Sequence, residues 1–227
     1  MILSIETATS NCSVALHTVL GEQVAIVERN EPNIHASQLF VFINDILLEN
    51  GISRNQLKAV AVSKGPGSYT GLRIGVSAAK GLCYSLGIPL LSVSSLQGMA
   101  HGASKKAGDR EALLIPMIDA RRMEVYNAVY DWKLNEIVPT QATIIDAQSF
   151  VTLSTKPCYF FGDGMPKCKE VLAPCGQFFF IDAVEASASS IGVLAQKKFV
   201  EQQFESLAYF EPYYLKEFVS QNTFHKK

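Results

Sequence analysis

Within the stretch "SKGPGSYTGLRIGVSAAKGL", residues 63–82, three glycines (Gly65, Gly67, Gly71) and three hydroxyls (Ser68, Tyr69, Thr70) stand between an apolar run and a segment of helical pattern. A loop of this kind can cradle an anion on the free amides of the helix that follows. Gly65, Pro66, Gly67, Ser68, Tyr69 and Thr70 would form the cradle, with Arg73 one turn on. Neither phosphate-loop signature fits, however. Gly71 is followed by Leu72 and Arg73 instead of Lys and Ser or Thr, and Thr70 occupies the third-glycine position of GxGxxG. Two readings therefore stand, a nucleotide-holding loop and a structural strand-to-helix turn, and the residue chemistry favours the turn.

Other reactive residues are scattered. His17, His35, His101 and His225 lie too far apart in sequence to share a helix face as metal ligands, which need spacings of three or four. No metal site is expected, and His35 reads as a cap or packing residue at the start of a helix. Cys12, Cys83, Cys158, Cys168 and Cys175 are odd in number and lack CxxC spacing, which suits reduced thiols, most of them buried, better than disulfides. No GxSxG elbow is present. Glu6 ends the first strand without a second carboxylate for acid–base work, and suits hydrogen bonds to nearby amides or hydroxyls. Asp163, between Gly162 and Gly164, reads as a turn residue. Arg121 and Arg122 fall in a hairpin turn, open to solvent or to a basic contact with a partner or tRNA.

The elements that must position these residues come in two similar series. Strands are expected at 2–5, 12–19, 22–28, 57–65 and 88–95, and helices at 35–51, 70–87 and 95–103, two of them closed by Gly51 and Gly87. A polar break at 105–110 separates residues 1–105 from 106–227. The second half again opens with strand, hairpin and strand, over 112–145. Strands follow at 158–164 and 177–183, then a helix at 187–204 with Ser187 or Ser189 as N-cap, free to pack back on the first half. The repeated order βββαβα argues for an α/β protein of two related lobes, the second reduced. With 227 residues, 48% of them hydrophobic, the chain can bury a sizeable core. A net charge of −1 offers no general attraction for nucleic acid. Neither a signal peptide nor an apolar run of the roughly 18 residues a membrane span needs is evident. A cytoplasmic protein is expected.

Two helices have unusual surfaces. Eight of the ten residues from Leu39 to Leu48 are apolar, wider than the stripe of an ordinary surface helix. In the next helix Gly71, Gly75, Ala78, Gly81 and Ser85 line one face, and glycines inside a helix cost about 1 kcal/mol each. Either this smooth face lies against the chain's own sheet or first helix, or the two helices share a protein–protein surface.

"GPGSYTGLRIG", with "KGL" and "IPLLSVSSL", strongly resembles the TsaB (YeaZ) family of bacterial threonylcarbamoyladenosine biosynthesis proteins. The likeness extends to "ILSIETATSNCSVAL", "HASQL", "IDARRMEVY", "FFGDG" and "EPYYLKEF", and covers essentially the whole chain. It implies an actin/Hsp70-like (ribonuclease H-like) fold, two lobes each with a mixed sheet flanked by helices. It further implies a non-catalytic scaffold that dimerises with a TsaD-type catalytic paralogue, modifying adenosine 37 of tRNA, and recruits a TsaE-type ATPase. Contact with tRNA would be indirect, and no cofactor is implied. The paralogue holds a metal through an HxxxH pair and an aspartate. Here that pair is absent, and Ala8-Thr9-Ser10-Asn11 stands where the paralogue's first strand continues with acidic residues. On this reading the partner surface comprises His35, Leu39, Val41, Phe42 and Ile46 with Gly71, Gly75 and Ala78, and it drives homodimer formation when the chain is alone. The alternative is an enzyme, a glycoprotease-like metalloprotein or an ATP-hydrolysing, chaperone-like protein using the cleft between lobes.

Overall fold

The structure, a computed structural model, describes residues 1–174 and 177–216. Cys175, His225 and the last two residues of "EPYYLKEF" lie outside the described residues. The first half runs β1 (Ile2–Glu6), β2 (Asn11–His17), β3 (Gln23–Asn30), α1 (His35–Glu49), β4 (Ala59–Ser63), α2 (Tyr69–Leu86), β5 (Leu90–Val93) and α3 (Ser95–Ser104). The second half runs β6 (Leu113–Asp119), β7 (Glu124–Tyr130), β8 (Glu136–Ile144), β9 (Cys158–Phe161), α4 (Met165–Leu172), β10 (Phe178–Ile181) and α5 (Ala188–Val200).

The strand orders show the duplication directly. The first sheet is β3-β2-β1-β4-β5, and the second, read from its antiparallel edge, is β8-β7-β6-β9-β10. In each, the first strand pairs antiparallel with the second and parallel with the fourth. The second copy is reduced, because a short 3-10 turn at Val151–Leu153 stands where the first lobe has α1.

β1 and β4 are buried along their whole lengths, as expected of central strands covered on both faces. Alternation along them sorts the side chains. Leu3, Ile5, Val60 and Val62 join the core beneath α1 and α2. Ile2, Ala59 and Ala61 face the other way, against Ile191 and Ala195 of α5. Small residues on that second face let α5 approach closely: a Cβ on Gly192 would lie 2.1 Å from His17 Nδ1 and 2.6 Å from Ser4 Oγ. So α5, although late in the chain, covers the first sheet.

The expected closing glycines and the α5 N-cap agree with the structure, while α5 ends at Val200, short of the expected 204, with Gln202 at a φ of 54°. Gly51 and Gly87 adopt positive φ, and Ser187 caps α5 by accepting from Ser189 N. The helix α4 is a departure, since only a turn was expected around Gly162-Asp163-Gly164. Its eight residues are too few for a periodic signal, and Pro166 in the first turn is the one sequence mark it carries. Cys12, Cys83, Cys158 and Cys168 are free and buried. Among the described residues no helix is long and apolar enough to cross a membrane.

Candidate functional site

Loops from both lobes meet around a cleft of about 880 Å³. One wall is the β1–β2 turn, the start of α1 and the loop entering α2. The facing wall is the end of β6, the β6–β7 turn and Asp163, and residues Tyr213–Lys216 complete the rim.

The glycine-rich loop has a packing role and a cleft role. Ser68 N donates to Ala8 O at 2.7 Å, and Ser68 Oγ accepts from Gly71 N at 3.2 Å to cap α2. A Cβ on Gly67 would fall 2.3 Å from Ala8 O, on Gly71 2.1 Å from Thr7 O, and on Gly75 2.2 Å from Thr7 Oγ1. These glycines let α2 press on the β1–β2 turn, as the turn reading holds. Pro66, Gly67, Ser68, Tyr69 and Thr70 nevertheless form cleft wall. Arg73 lies over the Tyr69 ring at 4.0 Å, and its Nε donates to Tyr214 Oη at 3.3 Å.

Glu6 is fully buried behind this turn. Its Oε1 accepts from Ala8 N and from Ser63 Oγ, each at 2.7 Å, the kind of bonding its position suggested. Its Oε2 has no protein partner. Burial raises the carboxyl to about 7, against the opposing pull of these bonds. The unfolded chain ionises the group near its ordinary value, so its contribution to stability is full below about 4.5 and is lost as the pH rises through about 7. Glu6→Gln is therefore expected to be more stable than the wild type at pH 8, with the difference gone at pH 4. Urea titrations of both proteins at the two pH values test this.

On the facing lobe, Asp163 Oδ1 accepts from Asp119 N at 3.3 Å. Enclosure by the cleft walls, and secondarily the charge of Asp119, raises Asp163 to about 6. Asp163 also borders a smaller cavity of about 170 Å³ shared with Thr9 and Ser10. The turn residue of the sequence is thus also a cleft residue. Asp119 is ion-paired with Lys167 and accepts from Arg121 N at 2.9 Å. Arg121 and Arg122 are exposed, with φ of 69° and 49°, and Arg121 lines the cleft. Holding two successive non-glycine residues in the left-handed region costs about 1–2 kcal/mol each.

The three described histidines occupy separate places. His35 borders the cleft at the first turn of α1, its Nε2 is buried without a hydrogen-bond partner among the described residues, and burial lowers its pKa. His17 lies under α5, also lowered by burial, and burial takes His101 on α3 down to about 4. Among the described residues no three His, Cys, Asp or Glu side chains are grouped to hold a metal.

The expected partner surface needs correction. Leu39, Phe42 and Ile46 point into the chain's own core, together with Leu47 and Ala78. Gly71 and Gly75 abut Thr7, so this part of the smooth stripe serves internal packing. The wide apolar arc of α1 is mostly consumed because β2, β3 and α2 all contact it. What stays outside is Val41, with Phe40 at 59%, Leu48 at 75% and, on α2, Tyr84 at 84% exposure.

Two lobes built on duplicated mixed sheets, with a cleft at their joint, define an α/β protein of the actin-like class. The family model for TsaD, tRNA N6-adenosine threonylcarbamoyltransferase, matches residues 26–221. The tRNA threonylcarbamoyladenosine biosynthesis protein TsaB of Bacillus subtilis is 33% identical over 75% of this chain and 74% of its own length. The Escherichia coli protein of the same name is 42% identical over 60% of this chain and 57% of its own length. YeaZ from Pseudomonas aeruginosa, 24% identical, shares the fold with a TM-score of 0.75 over 94% of this chain and 99% of that one. The chain belongs to the TsaB (YeaZ) family, within the wider TsaD-related group that the family model matches.

Proposed function

We propose that this chain is a non-catalytic subunit of the machinery that makes threonylcarbamoyladenosine at position 37 of tRNA. It docks on a TsaD-type catalytic paralogue, and the pair recruits a TsaE-type ATPase. In isolation it forms a homodimer through the same surface, and it meets tRNA only through the complex, in the cytoplasm. The observation that carries this reading is the outer face of α1 and α2, where Phe40, Val41, Leu48 and Tyr84 stand exposed on two neighbouring helices. Large apolar side chains left exposed on adjoining helices favour burial against a partner. The reading draws further support from the names of the relatives and from the separation of the histidines, which form no HxxxH pair.

Reconstitution tests it. Purified paralogue and ATPase are expected to modify tRNA only when this chain is added, and the chain alone is expected to show no turnover of ATP or peptide. Modification of equal rate without it, or stoichiometric metal with turnover by the isolated chain, overturns the proposal in favour of an enzyme.

A further inference from the structure

Residues 205–216 have little regular structure but are tied down at short intervals. Glu205 N donates to Leu90 O at 2.9 Å, and the Glu205 carboxylate accepts from Ser92 Oγ at 2.5 Å. Phe210 joins the first lobe's core, and its carbonyl accepts from Lys80 Nζ at 3.0 Å. Tyr213 N donates to Lys64 O at 2.7 Å. Tyr214 packs on Tyr69 with ring centroids 4.8 Å apart and accepts from Arg73 Nε. All these anchors belong to the first lobe. Lys216 then reaches across and pairs with Glu124 at the start of β7, in the second lobe. The stretch Tyr213–Lys216 between them lines the cleft.

We propose that this segment is a latch on the cleft between the lobes. Its fixed end lies on β5 and α2, its releasable end is the Lys216–Glu124 pair, and entry to the cleft follows release of that pair. The two ends differ in strength for a physical reason. The fixed end combines a buried phenylalanine, several hydrogen bonds and a tyrosine stack. The far end is an ion pair whose side chains are 44% and 19% exposed, so water and salt weaken it. At the back of the cleft the lobes are held together differently. There α3 packs on β6 and β7, and α5 packs on the first sheet, so loosening the latch leaves both lobes folded.

Hydrogen exchange of the full chain, read by mass spectrometry, tests this, because local opening sets the exchange of the amides it exposes. Lys216→Glu and Glu124→Lys are each expected to raise exchange in residues 66–71, 118–123 and 211–216 by about three- to fivefold, the population change such a pair can sustain. Exchange in β1 and β4 should stay unchanged. The double reversal should restore the wild-type pattern, and 1 M salt should reproduce the increase in the wild type. Lys216→Ala, which adds no opposing charge, should behave like the single reversals. Equal exchange in Lys216→Ala and wild type, or a double reversal that restores nothing, overturns the proposal.

Discussion

Gly71→Ala is expected to lose roughly 3 kcal/mol of stability in a urea titration, while Gly81→Ala, on the same stripe of the same helix, gains about 1 kcal/mol. The opposite signs follow from what each glycine faces. A Cβ on Gly71 would stand 2.1 Å from the carbonyl oxygen of Thr7, a backbone atom fixed by the β1–β2 turn. Relief requires α2 to move off the sheet, disturbing the core it shares with β1 and β4. Gly81 meets nothing within 4 Å, so alanine there only removes the entropic penalty of glycine in a helix. Equal stabilities for the two variants would show that α2 does not rest on the turn as described.

The second large effect separates core from surface on α1. Leu39→Asp is expected to leave the chain unfolded, because Leu39 is fully buried beneath α1 and a carboxylate there has no partner. Phe40→Asp, one residue on, is expected to keep stability within about 0.5 kcal/mol and to weaken association by about 2 kcal/mol, roughly thirtyfold. Circular dichroism melts read the first quantity and sedimentation velocity the second. A folded Leu39→Asp protein would place α1 in a different rotation about its axis.

That rotation marks the boundary of what the sequence could show. Apolar runs and closing glycines were enough for the strand–helix order of the first half, the duplication, and the ends of α1 and α2, whereas the eight-residue α4 carried no periodic signal. The breadth of the apolar arc on α1 was also legible, but not how much of it this chain covers. That depends on three neighbours, β2, β3 and α2, which contact α1, so Phe42 and Ile46 turn inward and Phe40 and Leu48 outward. The small residues of α2 divide in a similar way. Gly71 and Gly75 answer to Thr7, some 65 positions earlier, whereas Gly81 answers to nothing nearby. Which residues line the cleft between the lobes was hidden for the same reason. Asp163, Arg121 and Thr9 come from three distant loops, and their meeting follows from the packing of one lobe against the other. Glu6 was read correctly because its partners, Ala8 and Ser63, lie on its own strand end and on the strand beside it.

The most direct test of the partner surface is a sedimentation-velocity titration of the TsaD-type paralogue with wild-type chain and with a Phe40→Asp, Leu48→Asp variant. The wild type is expected to co-sediment as a stoichiometric complex, while the variant, melting at the wild-type temperature, sediments apart from the paralogue and as a monomer alone. A variant that binds the paralogue with undiminished affinity would contradict the account.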